Sequence, residues 1–477
     1  MIQAQVFFQS LEQFGQDTAV TTVLPAKASG QDPSSLEITS TSYQQLQSLI
    51  NTQCESMAEG LGPTDVATER HFVFIKMHNT LASIVDYLSA LQSGIVALLI
   101  DPDLDVDKQK VLIDAFNPNA IIDQNEIAFR HGLCSIIDKR VALLLPTSGS
   151  TGAIKHVALS YENLSSNAQS ICEYLPILPT DKAIANLPVF YSYGLSILNT
   201  HLLSGASIVF APYSIVNREF WKIMDEVQIT SLAGVPHTYE MLDKLRFARR
   251  ELPFLRYLTQ AGGKLDASLV TRLCGYAEQT SKQFFVMYGQ TEATARMAYC
   301  SHQTLVQKPD VIGSPIPNGK FRLENQELLY QGPNVMLGYV NSRSELIGFK
   351  PIEWLATGDL AEVDSDGDFK IIGRKKRFVK VFGHRIDLDQ VEHLLLAQTI
   401  KAYCCGIDGR LIIGFEQQDD IEEQTIKSFI HSQLGVHPTV VSVVSFKSLP
   451  LLANGKKDYQ SVQQVVLDIP DKSPIKA

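Results

Sequence analysis

A loop rich in hydroxyl side chains and glycine carries the clearest chemical signal in the chain. Its sequence, TSGSTGAIK, covers residues 147–155 and directly follows the apolar run 141–145. Glycines let backbone N–H groups approach an anion closely, hydroxyl groups add donors, and a lysine neutralises charge. The segment therefore predicts a phosphate-binding loop. The Walker pattern GxxxxGK[ST] is absent, and a Ser/Thr/Gly-rich surface turn explains the composition equally well.

Three shorter motifs add groups that a nucleotide site needs. Tyr288 begins YGQTE after an apolar run, and its ring can stack on a base while Glu292 holds Mg²⁺ through a carboxylate oxygen. Asp359 ends TGD and can accept both hydroxyls of a ribose. Lys456 follows an Asn-Gly pair and can be presented into a cleft as a point charge. Taken singly, each motif is more often an ordinary turn.

The order of the motifs is more specific than any one of them. TSGSTGAIK is followed by AGGK (261–264), YGQTE (288–292), TGD (357–359), GRKKRFVKVFGHRI (373–386) and NGKKD (454–458). This series, spread over about residues 11–458, resembles the adenylate-forming, AMP-dependent synthetase family. That family includes acyl-CoA synthetases, aryl-CoA ligases, beetle luciferases and the adenylation domains of peptide synthetases.

The resemblance implies a nucleotide site in the N-terminal part of the chain. The loop residues that would hold the β- and γ-phosphates of ATP are Thr147, Ser148, Gly149, Ser150, Thr151, Gly152 and Lys155. The residues that would face adenine are Gly262, Gly263, Lys264, Tyr288 and Gly289. Thr291 would contact the α-phosphate, Glu292 would hold Mg²⁺ with Thr151 near the metal, and Asp359 with Arg374 would bind the ribose.

The resemblance also implies that the C-terminal part supplies catalytic groups. Lys456 would bridge the carboxylate and the α-phosphate, because the attack joins two anions and one well-placed donor is often worth ~3–4 kcal/mol. No general base is needed, since a carboxylate is ionised at neutral pH. Lys376 would be the hinge, and Lys380 with Gly383 would belong to the face that serves the thiol acceptor.

Departures from the family pattern restrict the acid substrate. The predicted pocket walls are Tyr191, Ser192, Gly234, Ala261 and the residues just after Glu292. Tyr191 stands where related acyl-CoA synthetases place a histidine, and Gly194 stands where members that activate α-amino acids commonly place an aspartate. An unpaired buried ammonium would cost several kcal/mol. We therefore expect a small or medium carboxylic acid without a free α-amino group.

The implied reaction is adenylation of the acid followed by thioester formation. The acceptor is coenzyme A or the phosphopantetheine of an acyl carrier protein, and the sequence does not choose between them. Two other classes stay open: a luciferase-like oxidoreductase that uses the adenylate and O₂, and a non-catalytic nucleotide-binding scaffold.

The pattern of helices and strands expected around these residues indicates an α/β fold. Helical spacing at residues 42–59 and 79–91 alternates with apolar runs, which lie at 71–76, 94–100, 206–211, 229–234 and 284–287. Such runs are typical of a mostly parallel sheet covered by helices. Short alternating segments, at 321–324, 327–330, 360–363 and 369–372, predict a β-rich subdomain. We place a large N-terminal body at 1–372 and a small α+β domain at 373–477, which the resemblance implies is mobile.

Composition excludes several classes of protein. The 477 residues contain 41 Lys and Arg against 51 Asp and Glu, a net charge of −10, which argues against a nucleic-acid partner. The seven cysteines form no CxxC pair, which favours reduced thiols over disulfides or a zinc site. With no basic signal region and no run near roughly 18 apolar residues, we expect a cytoplasmic protein without stable membrane insertion.

Overall fold

A computed structural model describes most of the chain. The described residues are 7–9, 11–26, 36–64, 69–130, 135–147, 155–375, 377–381, 384–407, 409–418 and 421–467. They divide into two compact units. The first comprises the described residues up to 147, 155–321 and 330–355, and the second comprises 322–329 and the described residues from 356 to 467.

The α-helices follow in chain order. They are α1 (Tyr43–Leu61), α2 (Leu81–Gln92), α3 (Val106–Phe116), α4 (Tyr161–Tyr174), α5 (Ser192–Leu203), α6 (Arg218–Glu226), α7 (Pro236–Lys244), α8 (Ala267–Gln279), α9 (His302–Gln307), α10 (Leu388–Ala397), α11 (Glu423–Leu434) and α12 (Tyr459–Leu467).

The strands are numbered in the same way. They are β1 (Thr18–Pro25), β2 (Leu36–Ser42), β3 (Glu69–Arg70), β4 (Phe72–Lys76), β5 (Val96–Ile100), β6 (Ala120–Asp123), β7 (Glu126–Phe129), β8 (Ser135–Ile136), β9 (Val141–Pro146), β10 (His156–Ser160), β11 (Lys182–Ile184), β12 (Ser207–Phe210), β13 (Ser231–Gly234), β14 (Tyr257–Gln260), β15 (Gln283–Tyr288), β16 (Ala298–Cys300), β17 (Ser314–Pro315), β18 (Lys320–Glu324), β19 (Glu327–Gln331), β20 (Gly338–Val340), β21 (Leu355–Val363), β22 (Phe369–Arg374), β23 (Phe378–Val381), β24 (His384–Asp387), β25 (Ala402–Ile407), β26 (Arg410–Glu416) and β27 (Val441–Phe446).

Two large sheets form the first unit. One has nine strands in the order β17-β16-β15-β14-β13-β11-β12-β1-β2, and the other has seven in the order β20-β10-β9-β5-β4-β6-β7. Strands β13, β14 and β15 pair in parallel, and β4 pairs in parallel with both β5 and β6. Every residue of β5 is buried, as expected for a strand covered on both faces. The predicted α/β class with parallel and mixed sheets is confirmed.

Local sequence signals account for the helix boundaries. Helix α1 begins one residue later than predicted, because Ser42 is its N-cap: the Ser42 side chain accepts from the backbone N–H of Gln45 and the Gln45 side chain returns the bond. The same helix ends at Gly62, whose φ of 73° suits a residue without Cβ. Thr80 caps α2, so that helix also begins later than its apolar pattern.

The second unit contains most of the β-rich region and the C-terminal fold. The four-stranded sheet, in the order β18-β19-β21-β22, lies mainly in this unit. After it come the β23-β24 hairpin, then α10 and a three-stranded sheet in the order β25-β26-β27, with its own buried core. The proposed boundary between residues 372 and 373 falls inside this unit, so the division at that point stays a prediction.

None of the helices in the described part of the chain is both long and apolar enough to cross a membrane.

Candidate active site

The carboxyl ends of three adjacent parallel strands bring predicted site residues together. Gly234 ends β13, Ala261 follows β14, and Tyr288 ends β15. The N–H of Ala261 donates to the carbonyl oxygen of Gly234 at 3.2 Å, which joins the first two strand ends. Ligands of open α/β sheets bind at such carboxyl edges. The AGGK turn, with exposed Gly263 and Lys264, leaves the same edge.

The loop after Tyr288 has an unusual backbone that buried side chains hold in place. A Cβ atom at Gly289 would lie 1.9 Å from the carbonyl oxygen of Ala295, so only glycine fits there. Thr294 and Ala295 both have positive φ, at 52° and 97°. Asn334, which is 1% exposed, donates 2.7 Å hydrogen bonds to the carbonyl oxygens of Ala293 and Arg296. Strained backbone held in this way is common at functional sites.

A single tyrosine connects the predicted phosphate lysine with the predicted metal ligand. The Tyr339 hydroxyl donates to Glu292 Oε1 at 2.8 Å, and Lys155 Nζ lies 5.0 Å from the centre of the Tyr339 ring. Tyr339 lies on β20, which pairs with β10 directly after Lys155. Burial and the Glu292 carboxylate raise the pKa of Tyr339, so the phenol stays protonated and can donate. A cation and a carboxylate are thereby held within one cluster.

The donor set at Glu292 fits a magnesium ion that arrives with a nucleotide. In the described ranges, no group of three or more His, Cys, Asp or Glu side chains could form a metal cage. Mg²⁺ commonly binds through one or two carboxylates, phosphate oxygens and waters. Glu292 is half-buried, and its Oε1 atom accepts the hydrogen bond from Tyr339. Its carboxylate would supply the protein ligand for an ion that neutralises charge on the phosphates.

Thr291 lies beside the start of a helix. The Ser192 hydroxyl is 3.4 Å from the Thr291 hydroxyl, and Ser192 is the first residue of α5. Tyr191 occupies the N-cap position without a side-chain cap bond, so the positive end of the helix dipole lies next to Thr291. This arrangement suits an anionic phosphate or carboxylate at the same place.

Two of the predicted acid-pocket residues, Tyr191 and Ala261, belong to one apolar cluster. A buried cavity between the nine-stranded sheet and helices α4 and α5 is lined by residues one or two positions away in sequence, including Tyr193, Ala233 and Thr259.

Gly194 has no room for a side chain. A Cβ atom at this position would lie 2.2 Å from the backbone oxygen of Pro188, because α5 approaches the preceding turn closely. The absence of a free α-amino group from the acid stays a prediction.

The second unit holds the predicted ribose pair. Arg374 Nε lies 3.0 Å from Asp359 Oδ1 on paired strands β22 and β21. Asp359 is buried, whereas the Arg374 side chain is 60% exposed. Glu327 supports this corner, since its carboxylate accepts from the N–H of Gly358 at 3.2 Å and from Lys375 Nζ at 2.6 Å. Sequence reasoning found the pair but missed Glu327.

The NGK motif forms a tight turn that presents Lys456. The N–H of Gly455 donates to the carbonyl oxygen of Leu452 at 2.8 Å, and the φ of Gly455 is 74°. The N–H of Lys456 donates to Asn454 Oδ1 at 3.0 Å. The turn is closed again by the N–H of Leu452, which donates to the carbonyl oxygen of Lys456 at 2.8 Å. The backbone on both sides of the lysine is therefore fixed.

A buried ion cluster lies directly after this turn. The Glu392 carboxylate on α10 accepts from Arg377 Nη2 at 2.5 Å, from Lys457 Nζ at 2.6 Å and from the N–H of Cys404 at 2.8 Å. The Arg377 guanidinium lies 4.0 Å from the Tyr459 ring centre. Burial opposes the charge on Arg377, but Glu392 and its other neighbours raise its pKa overall. The cluster connects the strand after the predicted hinge to the residue that follows Lys456.

Several predicted residues receive no structural test. Lys380 lies exposed on β23, and its role stays a prediction. The residues that lie outside the described ranges are Ser148, Gly149, Ser150, Thr151, Gly152, Lys376 and Gly383. The ends of the phosphate loop are described: the N–H of Thr147 donates to the carbonyl oxygen of Lys155 at 2.9 Å.

Comparison with known proteins agrees with this geometry. Residues 135–340 match the family model of the AMP-binding enzymes. The chain is 27% identical to an oxalate–CoA ligase of Arabidopsis thaliana over 357 residues, covering 69% of this chain and 68% of that protein. It is 24% identical over 443 residues to a linear gramicidin synthase polypeptide of Brevibacillus parabrevis, covering 81% of this chain and 8% of that protein.

A solved structure has the same fold. O-succinylbenzoate coenzyme A synthetase (MenE) from Bacillus subtilis, in complex with ATP and magnesium ion, aligns with a TM-score of 0.75 at 18% identity, covering 96% of this chain and 99% of that one. The described part of the chain therefore has the fold of that structure. Residues 135–340 are similar to the AMP-binding enzymes.

Proposed function

We propose that this protein is an AMP-forming acid–thiol ligase. In the first step a carboxylate oxygen of the acid attacks the α-phosphorus of ATP, the bond to the β-phosphate breaks, and pyrophosphate leaves. In the second step a thiol sulfur attacks the acyl carbon, the bond to the phosphate oxygen breaks, and AMP leaves while the thiol proton passes to solvent. Both steps proceed without a redox partner.

The arrangement of Lys155, Tyr339 and Glu292 is the observation that carries the proposal. Adenylation brings an anionic acid to an anionic triphosphate, so charge neutralisation and alignment dominate the barrier. Lys155 supplies a cation at the end of the phosphate loop, and Glu292 supplies a hard oxygen ligand for Mg²⁺. Tyr339 donates a hydrogen bond to the Glu292 carboxylate, and the centre of its ring lies 5.0 Å from Lys155 Nζ. The three residues come from separate segments of the chain, which folding brings together.

The assigned roles follow the predicted pattern. Thr147 and Lys155, with the intervening loop, would hold the β- and γ-phosphates, and Thr291 beside the α5 dipole would contact the α-phosphate. Asp359 and Arg374 would bind the ribose. Lys456 would bridge the acid and the α-phosphate, and the closed NGK turn supports this role because it limits the backbone freedom of the lysine.

Coenzyme A is the acceptor we favour, and a carrier protein is the second candidate. The similarity to an oxalate–CoA ligase supports the first, and the similarity to a linear gramicidin synthase supports the second. Incubation of the protein with ATP, an acid and either coenzyme A or a phosphopantetheinylated carrier protein separates them. Free acyl-CoA is formed only with the first acceptor, and acylated carrier only with the second.

Acid-dependent pyrophosphate release tests the adenylation step. A panel of carboxylic acids is incubated with the protein and Mg-ATP, and pyrophosphate is measured before any thiol is added. Lys456→Ala should lower the rate by roughly 100-fold or more while ATP still binds, because one preorganised charged donor is lost. Lys447→Ala is the matched control, since Lys447 is an exposed lysine of the same unit. Equal rates in the two variants would refute the role of Lys456.

A further inference from the structure

Arg296 carries a buried positive charge that no carboxylate neutralises within the described part of the chain. The residue is 3% exposed. Its Nη1 donates to the carbonyl oxygen of Ala295 at 3.2 Å, and its Nε lies 3.4 Å from the Met287 sulfur, a weak acceptor. Its guanidinium carbon lies 4.1 Å from the ring centre of Tyr193. A guanidinium has five N–H donors, so most of this group's donor capacity is unused.

Buried charges in proteins are normally paired, because an isolated charge in a medium of low polarity is strongly disfavoured. The fully buried Asp181 shows such pairing, since its carboxylate forms a 2.5 Å ion pair with the partly exposed Arg256. No described carboxylate forms an ion pair with Arg296, and an anion would supply the partner.

The Arg296 side chain lines the buried cavity between the nine-stranded sheet and helices α4 and α5. The cavity has a volume of about 20 Å³, which is room for about one solvent-sized group beside the guanidinium. Its described lining contains hydroxyl groups from Tyr193, Ser196 and Thr259, but no Asp or Glu side chain. The Tyr193 and Ser196 hydroxyls already donate to the carbonyl oxygens of Thr259 and Tyr193, at 3.0 and 2.7 Å. The guanidinium is therefore the main donor that the cavity offers to a carboxylate.

The other titratable groups of the lining do not supply the anion. His201 is fully enclosed, and burial lowers its pKa, so the ring is neutral. Its Nδ1 donates to the carbonyl oxygen of Ile197 at 2.8 Å. Tyr193 is likewise neutral, because burial raises its pKa. Tyr257 is neutral for the same reason. The cavity therefore carries a net positive charge.

Hydrogen bonds from buried side chains hold the backbone at Arg296 in place. Buried amides of Asn334 and Asn167 donate to its carbonyl oxygen at 2.7 and 3.1 Å. A neighbouring cavity shares Ser196 with the first and is also lined by Ser192, whose hydroxyl is 3.4 Å from Thr291. Ser196 thus lines both cavities, and Ser192 lines the second one next to Thr291.

We propose that Arg296 binds a second carboxylate of the acid substrate, so that the enzyme activates dicarboxylic acids. This inference rests on the proposed function. One carboxylate of the acid is adenylated, and the other forms an ion pair with the guanidinium at the far end of the pocket. An acid with a neutral distal end would leave the Arg296 guanidinium buried without a counter-ion. Such an unpaired buried group weakens the binding of a wrong substrate strongly, and this gives the specificity.

The test compares pairs of acids that differ only in the distal carboxylate. The pairs are malonate and propanoate, succinate and butanoate, glutarate and pentanoate, and isophthalate and benzoate, with succinamate as the neutral analogue of succinate. Acid-dependent pyrophosphate release is measured as kcat/KM for wild type, Arg296→Met and Arg296→Lys. Arg140→Met is the control for the change in net charge, because Arg140 is a half-exposed surface residue paired with Asp138.

We expect the wild type to prefer at least one dicarboxylate over its partner by on the order of 100-fold, the usual effect of truncating one side of a buried charge pair. Arg296→Met should reduce that ratio to near one, mainly through KM, while Arg296→Lys retains part of it and Arg140→Met all of it. A purely structural role would lower all rates and leave the ratio unchanged. If Arg296→Met does not fold, the wild-type ratio and Arg296→Lys decide.

The experiment distinguishes failure of this inference from failure of the proposed function. Efficient use of monocarboxylates without preference for the dicarboxylate, or an unchanged ratio in an active Arg296→Met, overturns the inference and leaves the proposed function intact. Binding of ATP without pyrophosphate release from any acid overturns the proposed function, and the inference with it.

Discussion

The Glu392 cluster makes a quantitative prediction about the part of the chain that carries Lys456. Replacement of Glu392 by Gln keeps the size of the side chain but removes the negative charge. The carboxylate receives three donors, from Arg377, Lys457 and the N–H of Cys404. Gln can accept through one oxygen only, and its NH₂ group then faces a cation. At least one of the two cations loses its partner.

The magnitude follows from burial. Breaking a buried ion pair costs about 3–5 kcal/mol, whereas an exposed pair is worth at most about 1 kcal/mol. The side chains of Glu392 and Arg377 are 9% and 12% exposed, and that of Lys457 is 45% exposed. Arg377 keeps a 3.0 Å ion pair with Asp389, so the lower end of the range, about 3 kcal/mol, is expected. Lys457→Met should cost less than about 1 kcal/mol.

Native-state hydrogen exchange of the full chain is the suitable assay, because two compact units need not unfold in one transition. The N–H of Cys404 reports on the cluster directly. Its exchange should accelerate by roughly 100-fold in Glu392→Gln, the equivalent of about 3 kcal/mol if exchange occurs through local opening. Pyrophosphate release should also fall, since Lys457 follows Lys456.

Glu423→Gln is the matched control, because Glu423 is an exposed glutamate of α11 in the same unit. It changes the net charge equally and should leave the Cys404 exchange rate unaltered. If Glu392→Gln matched this control in both exchange and activity, the cluster would have no role in holding the lysine turn, and the reasoning from burial would be wrong.

Three other changes test the first unit. Tyr339→Phe removes the 2.8 Å bond to Glu292, so the Mg²⁺ concentration for half-maximal pyrophosphate release should rise several-fold; an unchanged Mg²⁺ requirement argues against the metal role. Burial lowers the pKa of His156 to about 4, so the unfolded state binds a proton first as pH falls, and stability is lost between about pH 6.5 and 4. The His156→Leu variant has no ring to protonate, so its free energy of unfolding should fall by about 3 kcal/mol less than that of the wild type over this pH range. Urea unfolding at several pH values measures the difference. Gly194→Ala places a Cβ atom 2.2 Å from a backbone oxygen and should cost more than about 2 kcal/mol in thermal or urea unfolding, whereas Gly275→Ala, with nothing within 4 Å, should be neutral or stabilising.

Local signals made much of the architecture predictable. Apolar runs identified buried strands such as β5, because a strand covered on both faces has no polar positions. The NGK motif identified the turn at Gly455, whose φ of 74° disfavours other residues. Gly358 of the TGD motif, with a φ of 75°, lies instead within β21. The errors were confined to ends: α1 and α2 begin later than their apolar patterns, since their caps are polar.

Residues that act through distant contacts were missed. Tyr339 lies 47 residues from Glu292, and Glu392 lies 65 residues from Lys457. Neither is part of a motif, and a lone tyrosine or glutamate has no distinguishing pattern. The residues after Glu292 were expected to wall the acid pocket, but nothing in the sequence shows that Arg296 is buried without a carboxylate.

Residue kinds at short spacing were enough to predict the class of chemistry and the α/β fold with its parallel and mixed sheets. The pairing of cations with anions became visible only in the folded chain: Lys155 and Glu292 meet through Tyr339, Arg377 and Lys457 meet through Glu392, and Arg296 has no anion among the described residues. The free energy of a charge depends on its burial and on neighbours within a few ångströms, and both are set when distant segments pack together.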